Sequence, residues 1–508
     1  SYGVVAKNHS ATSTVTLGGN SQINFGNNPG GVGVYTENTT INNNGGTITL
    51  GTSGVGIQGV NSTLNLVGGT ITSTATGAKG VYSNQAFTNT GTTVNLTGDN
   101  STGLFSAVSV ANNGTVKVGD SSNPSSPSIA IYAPTATNSG TVESGVNSIG
   151  IYSNGATNVD LQPGSALSVG SGGTGVYKDG GIVNVNNGTT LNIAPNNAIG
   201  VFGVDATVNN YHSEIGIGNS SIGFAVKGTS GVFNSVAGIT QTLGEDTIYA
   251  YSREGATINN NTIITSSGNA NVALYGDGSN VNNNAVLNLQ SGIGNVGILN
   301  INGGTGINNA PITIGKSNSS ADLYSIGMAA KDGAQIYNNS TITVTGNKGI
   351  GMYGAGAGTV VENRGNILLD GSRATASNKI ESMTGVYVDE GAKFVNKGII
   401  QTTDSYAGRG GMVNPNVSGL VGVAVMNGST LINEATGKIL IDADNSTGVI
   451  IRGKRDADGK LIRKAIIKNY GEIRVRGDKG KAISWKDLTP ADIAELERQI
   501  NAKLISTN

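Results

Sequence analysis

Short runs in which Val, Ile or Leu alternate with Thr, Asn or Ser recur along the whole chain. "GVYVDEGAKFVNKGII" at 385–400 holds three of them, separated by Gly- and Asn-containing corners. Alternation with a period of two puts successive side chains on opposite faces of a strand, so each run predicts a short strand with one apolar face. Gly and Asn at the corners supply the left-handed backbone that tight turns require. The same order returns as "GMAAKDGAQIYNNSTITV" at 327–344 and "GVAVMNGSTLINEATGKILI" at 422–441.

Aligned on the residue two after the Gly of "GVY", the repeat sets nineteen anchors, from Val5 and Tyr35 through Tyr152 and Tyr177 to Ile450 and Ser484, most of them 20 to 27 residues apart. That period is too short for a propeller blade, and strand alternation stands where ankyrin or tetratricopeptide repeats need helices. Three strands per unit predict an all-β fold, a right-handed parallel β-helix of about 19 coils whose alternate apolar residues fill an axial core.

A second register supports the stacking. Asn recurs two residues after the apolar position of the second strand, at Asn43, Asn89, Asn112, Asn138, Asn210, Asn234, Asn260, Asn283, Asn309, Asn338, Asn363, Asn396, Asn433 and Asn469. Identical amides one coil apart can form a hydrogen-bonded ladder. Tyr at the anchor repeats as well, and a stacked aromatic row would suit sugar binding on an outer face or packing inside; packing is the expectation.

The C-terminal stretch breaks the pattern. "LTPADIAELERQINAKLISTN" offers Thr489 as N-cap, Pro490 at the first helical position, and Ile493, Leu496, Ile500 and Leu504 on one face. It predicts an amphipathic helix of about fourteen residues that caps the open end of a rod formed by 1–485, or docks a partner, with 486–508 as its own element.

Composition narrows the function. With 80 Gly, no Cys, 5% aromatic and 12% charged residues, the chain suits neither ordinary globular domains nor a charged disordered tail. A formal net charge of −1 gives no general attraction to nucleic acid. Charge is uneven: 13 charged residues lie in 1–240 and the other 48 of the 61 in 241–508. The uncharged N-terminal half can therefore tolerate self-association along its edges. The absence of Cys removes disulfides, thiolate metal sites and Cys nucleophiles, and suits a long protein that crosses an oxidising space unfolded. No run approaches the roughly 18 apolar residues of a membrane span, so the fragment itself is not expected to insert. Because "SYGVVAKN" begins inside the repeat, the chain is read as a fragment of a longer one.

Motifs with chemical meaning fall back into the repeat. Gly54, Gly56 and Gly59, Gly292, Gly294 and Gly297, and Gly349, Gly351 and Gly354 spell GxGxxG, yet each lies at the same repeat corner and none opens a helix after a strand. His9 and His212 are too far apart to share a metal, and no cofactor is expected. A polysaccharide-cleaving enzyme would need converging carboxylates, but acidic residues are sparse before 241 and no Asp-Asp pair occurs, so no catalytic residue is assigned. Arg476-Gly477-Asp478 spells an integrin-binding tripeptide at the ordinary corner after a third strand. Residues 452–481 carry 11 Lys and Arg against 4 Asp and Glu, which suits a solvated end or docking to an anionic surface.

Insertions mark a candidate site. The runs 119–128, 315–325, 370–382 and 402–419 all follow the third strand, and equivalent corners stack along one edge of a solenoid. Loops on a rigid scaffold commonly carry recognition. The last three would bring together Tyr324, Arg373, Lys379, Glu381, Asp404, Tyr406, Arg409, Asn414 and Asn416 as ligand-binding candidates.

The repeat S-x-G-[VI]-Y-x-x-x-G-A-x-[VIF]-x-N-x-G-x-I-x-[VIL], as in "SIGIYSNGATNVDL" at 148–161, with the Cys-free, Gly-, Asn- and Thr-rich composition, resembles the passenger domains of Gram-negative monomeric (type Va) autotransporters, in particular the large outer-membrane adhesins of fusobacteria. The resemblance implies display at the cell surface through a translocator barrel that is not in this chain. It also implies attachment to other bacteria or host cells through protein or glycan ligands. A purely structural stalk and a carbohydrate-cleaving β-helix enzyme are the alternatives.

Overall fold

The computed structural model describes residues 1–8, 13–26, 28–211, 214–403, 410–458, 461–486, 488–497 and 504–507. The chain is a parallel β-solenoid of about 17 turns. That is somewhat fewer than its anchors, because an anchor strand need not open a full turn: Lys481–Lys486 leads into a helix. Two compact units divide it, Ser1–Ile239 and Thr240–Asn508, and the boundary coincides with the change in charge density seen in the sequence.

In the first unit the anchor register holds coil by coil: Val5 pairs with Tyr35, Tyr35 with Gln58, Tyr132 with Tyr152, and Tyr177 with Phe202. Inward residues such as Val34, Ile57, Leu104, Val176 and Phe224 are fully buried. In two early coils the second and third strands run together, as Thr40–Thr49 and Thr63–Ser73.

A glycine stands two residues before most anchors, replaced by Ala130, Tyr249, Ala273 and Ala482 in four coils, and has a steric cause. A Cβ on Gly175 would lie 2.4 Å from the Gly200 carbonyl oxygen of the next coil, and one on Gly103 equally close to that of Ala130. Coils stack at roughly 4.8 Å, and at these positions only a hydrogen atom fits between them.

The second unit repeats the scheme. Tyr251 pairs with Tyr275, Ala329 with Tyr353, Tyr353 with Tyr387, and Ile450 with Ser484. Its second strands carry an uninterrupted column of buried amides. Asn260 donates to Asn283 at 2.8 Å, Asn283 to Asn308 at 2.9 Å, Asn308 to Asn338 at 2.9 Å and Asn338 to Asn363 at 2.9 Å. The column continues through Asn396 and Asn433 to Asn469.

Two members of the predicted column are corrected. Asn309 faces outward, in an exposed row with Asn284 and Asn339, and Asn308 is the buried member. In the first unit Ser235 holds the column position, while Asn234 joins the outer row of Asn184 and Asn209. A strand read one residue out of phase exchanges its two faces; the phase is hidden by the pair Asn308-Asn309 in one case and by the adjacent apolar Val232 and Phe233 in the other.

The anchor tyrosines are a third correction. The anchor strands bury both the Gly and the aliphatic residue of "GVY", so the aromatic residue points outward and is half-exposed. Tyr82 and Phe105 stack at 4.4 Å, Tyr132 and Tyr152 at 4.9 Å, and Tyr152 and Tyr177 at 5.1 Å. The row is an external aromatic ladder rather than internal packing.

The terminal element also differs from expectation. Among the described residues of this stretch helix covers Pro490–Glu497, and Leu504, expected on its apolar face, begins the strand Leu504–Thr507, which pairs in parallel with Glu472–Arg476. The fourteen-residue capping helix is therefore not supported; Ile500 lies outside the described residues.

Candidate functional site

The three insertions of the second unit share one edge. Ser317 N–H donates to the Asn347 carbonyl at 2.9 Å, and the Asn347 side chain accepts from Glu381 N–H at 2.8 Å. Ile380 and Glu381 then pair with Val417 and Ser418 as a short two-stranded sheet. Corner residues of successive coils thus stack in order, as the insertion pattern requires.

Each loop is built by its own polar residues. In 315–325, Asn318 caps the single turn Ser319–Ala321 by accepting from Ser320 N–H at 3.1 Å, and Asp322 takes a left-handed conformation with φ 56°. In 370–382, Asp370 accepts from Ser372 N–H at 3.0 Å and from the Thr403 hydroxyl at 2.8 Å. Burial pushes its carboxyl up, but hydrogen bonds from Ser372 and Thr403, with Arg373 nearby, outweigh it and hold the pKa below the ordinary aspartate value.

The loop 370–382 folds back across preceding coils, so that Arg373 Nη1 reaches Gln290 Oε1 at 3.1 Å. Beneath it lies a cleft of about 530 Å³, lined by Gln290, Lys316, Asn347, Arg373 and Asn378, with Ile380 as its apolar floor. Its charged lining is cationic, from Lys316 and Arg373.

The candidates separate into roles. Arg373 lines the cleft, and Lys379 and Glu381 are exposed beside it. Asn414, only 3% exposed, donates to the Gly371 carbonyl at 3.4 Å and accepts from Asn416 N–H at 3.0 Å. Asn416 in turn accepts from Ile380 N–H through its carbonyl at 3.0 Å. These two residues stitch the loops together; Asn414 is buried, whereas Asn416 does so through its backbone and is partly exposed. Tyr324, 38% exposed, lies outside the cleft and lines a separate pocket against the outer face of the anchor strands. Asp404, Tyr406 and Arg409 fall outside the described residues, as do His9 and His212. Gln290, Lys316 and Asn347 were not anticipated: Gln290 and Asn347 lie on regular corners, Lys316 is the second residue of the insertion 315–325, and the folding back of 370–382 is what makes them part of a site.

Arg476-Gly477-Asp478 sits at its expected corner, with Asp478 N–H donating to the Asp444 carboxylate at 2.8 Å. Within the cationic block, Lys454–Arg455 and Leu461–Arg463 form an antiparallel pair, and Lys454 reaches Glu390 at 2.8 Å. Among the described residues no cluster of three or more His, Asp or Glu could hold a metal ion.

A family model described as the BigA third pectate lyase-like domain matches residues 157–399, just under half of the chain. The matched segment includes the loops 315–325 and 370–382 and ends before 402–419. No curated protein and no solved structure matches the chain.

Proposed function

We propose that this chain is a segment of a bacterial surface adhesin, the passenger of a type Va autotransporter, and that its loop edge at 315–419 contacts a protein or glycan on host or bacterial cells. The observation that carries this reading is the convergence of three insertions onto one edge of an otherwise regular solenoid, two of them inside the segment similar to a BigA domain. A regular solenoid needs no such loops for stability, and rigidly held loops are a common recognition device.

The partner class follows from the cleft, whose Lys316 and Arg373 favour an acidic group on the ligand. Binding without turnover is proposed. No helix among the described residues is long and apolar enough to cross a membrane, which leaves anchoring to another part of the parent protein in this reading. Self-association through the first unit belongs to the same proposal, supported by its sparse charge and by exposed Val67, Val108 and Ile182.

Binding of the fluorescently labelled chain to bacterial and host cells, measured by flow cytometry, tests this reading. Saturable binding supports an adhesin. Absence of binding to every cell type leaves the stalk reading, and release of reducing ends from polygalacturonate would replace both with an enzyme.

A further inference from the structure

The outer aromatic column of the second unit has a gap. In successive coils its anchors are Tyr275, Leu299, Ala329, Tyr353 and Tyr387, paired in register. Tyr353 and Tyr387 stack at 5.9 Å with 18° between their planes, so one face of Tyr353 is covered. Its other face looks toward Ala329, whose methyl group cannot cover a ring, and toward Lys331, whose flexible side chain carries its ammonium over the ring. From Leu299 to Tyr353 is two coil steps, roughly 10 Å, and this holds one ring in van der Waals contact on either side.

The gap opens into a pocket of about 540 Å³ that the loop 315–325 overhangs. Leu323 is seated against Gly294, where a Cβ would fall 2.8 Å from that of Leu323, and the next residue, Tyr324, forms part of the wall. Polar groups surround the slot. Lys331 Nζ lies 5.7 Å from the Tyr353 ring centre. Asp389 accepts from the Tyr387 hydroxyl at 3.4 Å and from Asn427 at 2.6 Å. Burial, then the Asp389 charge, pushes Tyr387 up to about 12, so its hydroxyl remains a donor at neutral pH.

We infer that this slot is a carbohydrate subsite that takes one neutral pyranose ring. A pyranose has a face of C–H groups that packs on the Tyr353 face left open by Tyr387, displacing the Lys331 ammonium to the sugar's edge, and hydroxyls around its edge that meet the carboxylates of Asp322 and Asp389, the Lys331 ammonium and the tyrosine hydroxyls. An aromatic side chain from a partner would fill the same gap but give those polar groups nothing to bond. Two carboxylates against one ammonium disfavour an acidic sugar. The site is distinct from the cationic cleft. It extends the adhesive reading, but the geometry that carries it does not depend on that reading.

The test is saturation-transfer NMR on the whole chain with methyl β-D-glucopyranoside, methyl β-D-galactopyranoside and methyl α-D-mannopyranoside. At least one should receive saturation most strongly at the C–H protons of one ring face. Ala329→Phe places a ring in the gap, completing the column as Phe105 does beside Tyr82, and should abolish the signal. Tyr324→Ala, on the exposed loop, should reduce affinity at least several-fold while leaving the circular dichroism unchanged, which covers the case in which Ala329→Phe fails to fold. No transfer from any glycoside, whether or not p-cresol binds, or undiminished transfer in both variants would overturn the inference. Sugar binding without cell binding would overturn the adhesive reading alone; cell binding without sugar binding would overturn the subsite alone.

Discussion

Asn308 donates its side-chain amide to Asn338, one coil away, at 2.9 Å, while its neighbour Asn309 bonds along a separate row in solvent. Adjacent residues of one type therefore hold opposite positions in the fold. Asn308→Ala leaves the Asn283 donor and the Asn338 acceptor buried without their partner, at roughly 1–3 kcal/mol for each orphaned group. Asn309→Ala should change stability by less than about 0.5 kcal/mol. Urea denaturation of the two variants checks the register directly, and equal midpoints would refute it.

Lys178 is wholly buried in the first unit, where its ammonium donates to Ser153 Oγ at 3.0 Å and to the Gly155 carbonyl at 2.8 Å. Burial, opposed by Asp179, lowers its pKa to about 8 from the ordinary lysine value of 10.5. Between those values the unfolded chain holds a proton that the folded chain has lost, so the Lys178 contribution to stability grows as pH rises from 8 to 10.5 and is lost as pH falls through 8. Lys178→Met should be at least as stable as the parent at pH 7. The difference between parent and variant midpoints should move in favour of the parent across that window, and a pH-independent difference would contradict the assignment.

Gly351 faces the Gly385 carbonyl oxygen of the next coil, 2.5 Å from where a Cβ would stand, and Ile367 Cγ2 at 2.7 Å. Because the nearer obstacle is backbone, Gly351→Ala must separate two coils, at a cost of about 1–3 kcal/mol. At Gly18, where a Cβ meets nothing within 4 Å, the same substitution should be nearly neutral. Thermal denaturation of the two variants tests whether the repeat glycine is a stacking requirement.

The coil register is legible in the sequence because one-residue phase and coil length are both written in the "GVY" anchors, and anchor pairs such as Tyr152–Tyr177, Tyr177–Phe202, Tyr353–Tyr387 and Tyr387–Ala424 follow it. Phase failed at Asn309, where the consecutive Asn308 and Asn309 satisfy either face, and at Asn234, where the adjacent apolar residues Val232 and Phe233 leave the phase open. It failed for the tyrosines because the Gly before the aliphatic residue is itself buried, which interrupts strict alternation. The loop edge could be placed from insertion lengths alone. The reach of Arg373 to Gln290, 83 residues earlier, and the slot over Ala329 could not, since both depend on how loops fold back across coils that the sequence treats as equivalent. Leu504 was assigned to helix on apolar spacing, but the free edge of Glu472–Arg476 offers it a strand partner.

The proposal that the loop edge is the adhesive surface is tested most directly by replacing 371–382 and 403–418 with short Gly turns and comparing cell binding with that of the parent chain, at matched circular dichroism. Among the described residues the strands in these segments are Ile380–Glu381 and Val417–Ser418, which pair with each other, so the solenoid should keep its fold. The account predicts that the variant loses at least tenfold in affinity for cells that the parent binds. Equal binding by a folded variant would contradict it and move the adhesive site off this edge.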